Sequence, residues 1–290
     1  MRVVVHLSDL HFGRIHEPLV EPLLAVIKAE KPDLVAVSGD LTQRARTAQF
    51  LEARAFLDRI PFPKLVVPGN HDVPLHNLFA RFARPLCKYR RYIQSELCPF
   101  FADGELAVVG LNTARSLTTK YGRLDDEQMA LLADRFRPFG PEVTKILVTH
   151  HPFDLPPGYE DRKQLVGRSE MAMAVIATSG VDLLLSGHLH LTYTSLTATR
   201  YKIAGYSALL VQAGTATSTR GRGEANSFNI LRVEPGRIAA ERILWNPEVG
   251  LFQLAATAVF ERGDSGWNRG EEAHPSGAQE LMAAPGAAAA

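Results

Sequence analysis

The chain has 290 residues, of which 46% are hydrophobic and 22% charged, so there is ample apolar material for one large core. Its 32 Lys plus Arg against 31 Asp plus Glu leave a formal charge of +1, which removes any bulk electrostatic case for a nucleic-acid or membrane-surface partner and favours a small ligand. No apolar run approaches a membrane span, MRVVVHLSDLHFG lacks the pattern of a secretory signal, and Cys87 and Cys98 form no C-x-x-C pair, so a cytoplasmic location with reduced thiols is expected.

The first third alternates strand and helix. VVVHLS, LVAVSG and KLVVP are continuous apolar runs, as strands buried on both faces should be, and helical patterns over 18–30 and 44–59 separate them, which predicts parallel pairing. A helix is predicted over 78–96, with Phe82, Leu86 and Tyr89 as its apolar stripe and a solvated basic face from Arg81 to Arg91. FFADGELAVVGLNT predicts a hairpin turning on Asp103 and Gly104, and 125–135 a helix with an acidic start. KILVTH, a helix over 169–178 and VDLLLSGHLH then repeat the logic, and the echo between KPDLVAVSGD and SGVDLLLSGHLH suggests two related halves, with Asp33 and Asp182 as turn formers. TYTSLTAT, YSALLVQAG, NSFNILRVE and RIAAERILW are short strands, expected to finish the second sheet antiparallel. From Arg262 the chain becomes Gly, Ala, Glu and Pro without periodicity, so 1–261 is read as one domain and 262–290 as a disordered tail.

Five of these strand ends deliver Asp, Asn or His: SDLHFG at 8–13, SGD at 38–40, PGNHD at 68–72, VTHHP at 148–152 and SGHLH at 186–190. Carboxylate, amide and imidazole are the ligands of a hydrolytic metal ion, and so many converging together imply two ions. Hydrolysis of a phosphate ester needs a nucleophile at neutral pH and neutralisation of the phosphoryl oxygens, which a hydroxide bridging two metals supplies. A shared hydroxide needs a shared carboxylate, and Asp40, beside Gly39, is the natural bridge. Asp9 and His11 stand two apart, so an extended exit from the first strand would aim both to one side; His188 and His190 repeat that spacing, one for each ion. Asn70 offers a neutral oxygen, so two divalent ions, two carboxylates and one hydroxide leave a positive core suited to a diester monoanion. His71 is read as a substrate-facing acid that assists the leaving oxygen.

In this order the five segments, from Arg2 to His190, resemble the calcineurin-like metallophosphoesterase family. The resemblance implies an α/β, four-layer fold in which two mixed β-sheets form a sandwich flanked by helices, with a dinuclear centre at the strand ends. It also implies that Asp9, His11, Asp40 and His190 hold one ion, and Asp40, Asn70, His150 and His188 the other; His150 rather than His151 is the ligand because the family pattern places it two residues before proline. His151 then lies behind the ligands, and Asp72 either orients a metal-binding imidazole or is a solvated turn carboxylate. GNHD, GRLDDEQ at 122–128 and QAGTATSTRGRG resemble bacterial class III cyclic-nucleotide phosphodiesterases and glycerophosphodiesterases.

The expected activity is a metal-dependent phosphodiesterase acting on a small diester, a 3′,5′-cyclic nucleotide or a glycerophosphodiester, with Mn, Fe, Zn or Co as the two divalent or trivalent ions. Competing readings are a DNA nuclease of the same family, an enzyme resembling the UDP-2,3-diacylglucosamine hydrolases, whose pattern has GNRD in place of GNHD, and a non-catalytic scaffold. A homo-oligomer is compatible with the sequence. The loop over 152–168 reads equally as lid or plain surface, and Arg220 and Arg222 as phosphate clamps or ordinary loop residues.

Overall fold

The computed structural model describes residues 1–221 and 223–270. Strands β1 (Arg2–Leu7), β2 (Leu34–Val37) and β3 (Lys64–Val66) pair in parallel, connected through α1 (Val20–Glu30) and α2 (Thr47–Asp58) as the alternating pattern predicts. The single helix expected over 78–96 is instead two short ones, α3 (Leu78–Ala83) and α4 (Cys87–Tyr92). Pro85 is the cause, since it has no N–H to donate and disfavours a helical residue before it; Arg84 turns out of the helix at φ −147°. The expected stripe breaks accordingly: Leu86 and Tyr89 are buried, while Phe82 is exposed.

β4 (Phe100–Ala102) and β5 (Leu106–Gly110) form the predicted hairpin, whose turn is held by Asp103 Oδ1 accepting from the N–H of Glu105 and Leu106, both at 2.8 Å. Helix α5 (Asp126–Phe136) starts at a capping box between Asp125 and Gln128. β6 (Thr144–Val148), α6 (Ser169–Thr178) and β7 (Leu183–Ser186) follow, with β5, β6 and β7 parallel. β8 (Tyr193–Leu196) and the one-turn α7 (Thr197–Arg200) lead to β9 (Leu209–Gln212), which joins β7 in parallel and takes β8 antiparallel on its outer edge.

The remaining strands correct the sequence reading. β10 (Ser227–Glu234) and β11 (Arg237–Asn246) do not finish the second sheet; β10 returns to the first and pairs antiparallel with β1, and β11 and β12 (Leu251–Gly263) extend that sheet outward. The strand order is β13-β12-β11-β10-β1-β2-β3 in the first sheet and β4-β5-β6-β7-β9-β8 in the second. β13 (Gly266–Arg269) and the end of β12 lie within the stretch expected to be tail from 262; residues 271–290 of that expected tail lie outside the described residues. Trp267 is the reason for order there: it is 2% exposed between the sheets, and its Nε1 donates to Asp182 Oδ1 at 2.8 Å.

Alternate residues of each strand face opposite ways, which builds four layers. Val4, Ala36, Val108, Ile146 and Leu185 pack between the sheets; Val5, Leu7 and Val37 pack on Leu23, Ile27 and Phe50 of α1 and α2; Val109 and Leu147 pack on Leu132, Phe136 and Met173 of α5 and α6. Each such buried aliphatic contributes roughly 1.5–3 kcal/mol. The two halves also share a clamp: Asp33 Oδ2 accepts from Val3 N–H at 2.8 Å beside β1, and Asp182 Oδ2 from Lys145 N–H at 2.9 Å beside β6. These carboxylates therefore set strand registers as well as turns.

Candidate metal centre

The expected ligands all lie on turns at the C-terminal ends of parallel strands: Asp9 and His11 after β1, Asp40 after β2, Asn70 and His71 after β3, His150 after β6, and His188 and His190 after β7. The turns are not extended. Among the described residues eight non-glycines have positive φ, and five of them belong to this set: Asp9 (53°), His11 (51°), Asp40 (53°), His188 (76°) and His190 (58°). Left-handed backbone, not the two-residue alternation of a strand, is what turns Asp9 with His11, and His188 with His190, into one space. Each such residue costs of order 1 kcal/mol or more. Offsetting bonds tie the first two turns together, Asp9 N–H to Gly39 O at 3.1 Å and His11 N–H to Asp40 O at 2.9 Å. Gly69 is required for the same crowding, since a Cβ there would lie 2.1 Å from Asp40 Oδ1.

The side chains meet in two overlapping groups. Asp9 Oδ1 lies 3.1 Å from His190 Nε2 and 3.5 Å from His11 Nε2, and those two nitrogens are 3.0 Å apart. Asn70 Oδ1 lies 3.1 Å from both His150 Nε2 and His188 Nδ1. Asp40 stands between the groups, with Oδ2 3.4 Å from His150 Nε2 and 3.7 Å from His11 Nε2. Its other oxygen accepts from His71 N–H at 2.8 Å.

The outward-facing nitrogens fix where the lone pairs point. A backbone carbonyl only accepts, so His150 Nδ1, 2.8 Å from Ser38 O, and His190 Nδ1, 2.9 Å from Arg220 O, carry hydrogen, and Nε2 is the nitrogen each can offer toward the centre. His188 is reversed: Nε2 donates to Gln164 Oε1 at 3.0 Å, leaving Nδ1 inward. Asp9 Oδ2 is satisfied by Ser8 Oγ at 2.6 Å and His188 N–H at 2.9 Å, but Oδ1 is buried without a hydrogen-bond partner. Converging lone pairs and an orphaned buried carboxylate oxygen fit cations. The sets Asp9, His11, His190 and Asp9, Asp40, His150 each bring their ligand atoms within 4.8 Å of one another, compatible with two divalent ions. The mixed oxygen and nitrogen donors suit Mn, Fe, Co or Zn.

The electrostatics run the same way. Burial opposes it, yet His190 and His11 hold the Asp9 carboxyl well below its usual range. Burial also works against charge on His150, but Asp40 pushes this imidazole up to about 9, so cation binding there releases a proton. Burial, then His151 and His150, drive His188 well below its usual value, which keeps it neutral.

His71 differs from its expected role in one respect. Its Nδ1 donates to Gln43 O at 2.9 Å, and its Nε2 accepts from Arg220 Nη1 at 2.8 Å, so the atom at the mouth holds a lone pair and not an acidic proton. Asp72 neither orients an imidazole nor meets solvent. It is fully buried and accepts from the N–H groups of Leu41, Thr42 and Gly69 and from Thr42 Oγ1, stapling the Asp40 turn to the Asn70 turn. Burial, then the Asp40 charge, push it up to about 7. His151 is buried behind the ligands, its ring 4.5 Å from that of His188, with Thr113 Oγ1 at 2.7 Å and Lys120 O at 2.9 Å.

Two contributors have no strand-end motif. Gln164 comes from the 152–168 loop, and nothing in its local sequence marks it. Arg220, after β9, is brought to His71 by pairing of its loop with the first turn, Thr219 N–H to Arg14 O at 3.1 Å. Arg222 lies outside the described residues.

Such a cluster on the strand ends of an α/β/β/α sandwich defines a metal-dependent hydrolase with a dinuclear site. The chain belongs to the calcineurin-like phosphoesterase family, whose pattern matches residues 2–191. It is 26% identical over 219 residues to the glycerophosphodiester phosphodiesterase GpdQ of Enterobacter lignolyticus, covering 71% of this chain and 76% of that one. It is 24% identical over 198 residues to the 3′,5′-cyclic adenosine monophosphate phosphodiesterase CpdA of Escherichia coli K12, covering 64% and 69%. Among solved structures, PhoD superposes with a TM-score of 0.68 at 13% identity over 96% of this chain and 73% of that one. The purple acid phosphatase PPD1 of yellow lupin gives 0.64 at 14% identity over 89% and 53%, so these two share the fold.

Proposed function

We propose that this chain is a phosphodiesterase that hydrolyses a small phosphodiester, a 3′,5′-cyclic nucleotide or a glycerophosphodiester, in the cytoplasm. The observation that carries the reading is the inward convergence of one nitrogen each from His150, His188 and His190 on the orphaned Asp9 Oδ1 and on Asp40 and Asn70. Asp9, His11, Asp40 and His190 would hold one ion, and Asp40, Asn70, His150 and His188 the other. Bound there, the pair of ions supplies an activated water and neutralises the phosphoryl oxygens. Both activities of the relatives, on glycerophosphodiesters and on cyclic adenosine monophosphate, are diester hydrolyses.

The chain's own groups account for the rest. Arg220, half-buried and facing Asp9 and Asp40, is placed to bind a phosphate oxygen, which frees His71 Nε2. Hydrolysis moves one proton from water to the leaving alkoxide, and His71 Nε2 is the side-chain atom at the mouth able to carry it. Its Nδ1 bond to Gln43 O keeps the ring aimed while it does so. Unpaired Cys87 and Cys98 support a reducing compartment, and no helix among the described residues is long and apolar enough to cross a membrane.

The test is a panel of cyclic adenosine monophosphate, glycerophosphocholine and bis(p-nitrophenyl) phosphate, run with Mn²⁺ and after chelation. Turnover of a diester that disappears on chelation and returns with metal is expected. Undiminished turnover after thorough chelation, or no turnover of any diester with metal present, would overturn the proposal.

A further inference from the structure

Several arginines of this protein are matched with acids. Arg2 pairs with Asp33, Arg59 with Glu21, Arg200 with Asp154, and Arg232 with both Glu30 and Glu241. At the mouth of the metal centre three arginines without such a partner come together. Arg14 follows His11 on the first turn, Arg44 follows Asp40 on the second, and Arg220 reaches over from the loop after β9. Among the described residues no carboxylate forms an ion pair with any of the three.

Their placement is fixed by the backbone. Ile15 bridges Ser218, and Arg14 O accepts from Thr219 N–H at 3.1 Å, which holds the Arg14 turn against the Arg220 loop. Arg44 lines a small cleft with Gln43, Asn70 and His71, the residue that Arg220 touches. Burial and then the repulsion of Arg44 and Arg14 work against the Arg220 charge, so the three cations act on one another. The carboxylates that face Arg220 are Asp9 and Asp40, both buried and both spoken for by cations in the reading above.

We infer that Arg14 and Arg44, beside Arg220, form a second anion subsite at the mouth, so that among small diesters those carrying a further phosphate or carboxylate next to the scissile group are preferred. This rests on the phosphodiesterase reading for the identity of the scissile group. One diester monoanion is already matched by the metal centre and Arg220; Arg14 and Arg44, the latter donating to Gln43 O at 3.4 Å, then remain as charge-assisted donors for a separate anionic group. A 5′-phosphorylated dinucleotide has this chemistry. Cyclic adenosine monophosphate and glycerophosphocholine, with a single phosphate, do not.

The experiment has a binding arm and a kinetic arm, both on the full chain loaded with Mn²⁺. Calorimetry compares adenosine 3′,5′-bisphosphate with adenosine 3′-monophosphate, and hydrolysis compares the dinucleotide pApA with ApA. The subsite predicts at least about tenfold tighter binding of the bisphosphate and a similar kcat/KM preference for pApA, both weakening as salt rises. In an Arg14→Gln, Arg44→Gln double variant both preferences should fall to within about twofold. Arg54→Gln, on α2 where Arg54 pairs with Asp58, controls for lost surface charge and should keep them. Equal binding of the two nucleotides by the unaltered chain, or a preference that survives in the double variant, would overturn the inference. Binding preference lost in the double variant while no diester is hydrolysed would uphold the subsite and bring down the phosphodiesterase reading alone.

Discussion

Gln164 Oε1 accepts from His188 Nε2 at 3.0 Å, while the same amide donates through its Nε2 to Asp161 Oδ2 at 2.8 Å. The Asp161 bond sets which way the amide faces, and the amide in turn sets the tautomer of His188. Gln164→Leu removes the acceptor and lets the ring rotate or tautomerise. Metal affinity should fall by about 10–100-fold, the usual effect of losing a group that orients a ligand. Titration of the metal-free protein with Mn²⁺, followed calorimetrically, reads this directly; unchanged affinity at both sites would show that Gln164 is a packing residue only.

Asn70 explains why an amide occupies that position. Its Oδ1 sits 3.1 Å from His150 Nε2 and His188 Nδ1, and its Nδ2 donates to Thr119 O at 3.3 Å. Asn70→Asp keeps an oxygen toward the centre but turns a second one against the Thr119 carbonyl and adds a negative charge. Metal content should persist while kcat/KM for an anionic diester drops by about tenfold or more. Asn70→Ala should instead lower the bound metal toward one ion per chain, as elemental analysis would report.

His6 gives a pH prediction with a definite sign. Burial pushes it from 6.5 down to about 3, so it is neutral in the fold and must unfold to take a proton at mildly acid pH. A depressed histidine contributes stability that is present above about 6.5 and is lost as pH falls toward about 3. Across that window its share of the slope is about 1.4 kcal/mol per pH unit at most. Urea unfolding of chelated protein at several pH values should show a shallower acid limb for His6→Gln. An identical slope would place the proton uptake on His11 and His151, which burial also depresses, to about 4 and about 3.

Trp267 anchors the end of the first sheet to the second through Asp182, which Arg262 also pairs with. Trp267→Ala opens a cavity between the sheets and removes one hydrogen bond to a buried carboxylate, at a cost of about 3–5 kcal/mol. Deleting everything after residue 261 from the parent chain should destabilise by at least as much. Equal melting temperatures for all three proteins would mean that β13 contributes nothing to the core.

How far local sequence reaches is clearest at α6, where the apolar period and the structure agree on Ser169–Thr178, and at α5, where Asp125 and Gln128 cap the helix as a short-range pair. The candidate ligand residues were legible for a related reason: Asp, Asn and His at the ends of apolar runs are a local statement about chemistry, whatever the runs later pack against. The left-handed turns were not legible, because positive φ at Asp9, His11, Asp40, His188 and His190 is held by bonds from segments far along the chain, such as His188 N–H to Asp9 Oδ2.

By itself, then, the sequence determined the strand and helix alternation, the layer faces and the residue types that gather at the metal centre, since each follows from periodicity or chemistry within a few residues. Only the tertiary structure decided that β10 returns to pair with β1, that Trp267 brings order beyond 262, and that Gln164 and Arg220 reach the ligands. Strand partnership and loop approach are contacts between distant segments. An alternating apolar strand satisfies either sheet equally well, so the choice is made by which edge the folded core leaves open.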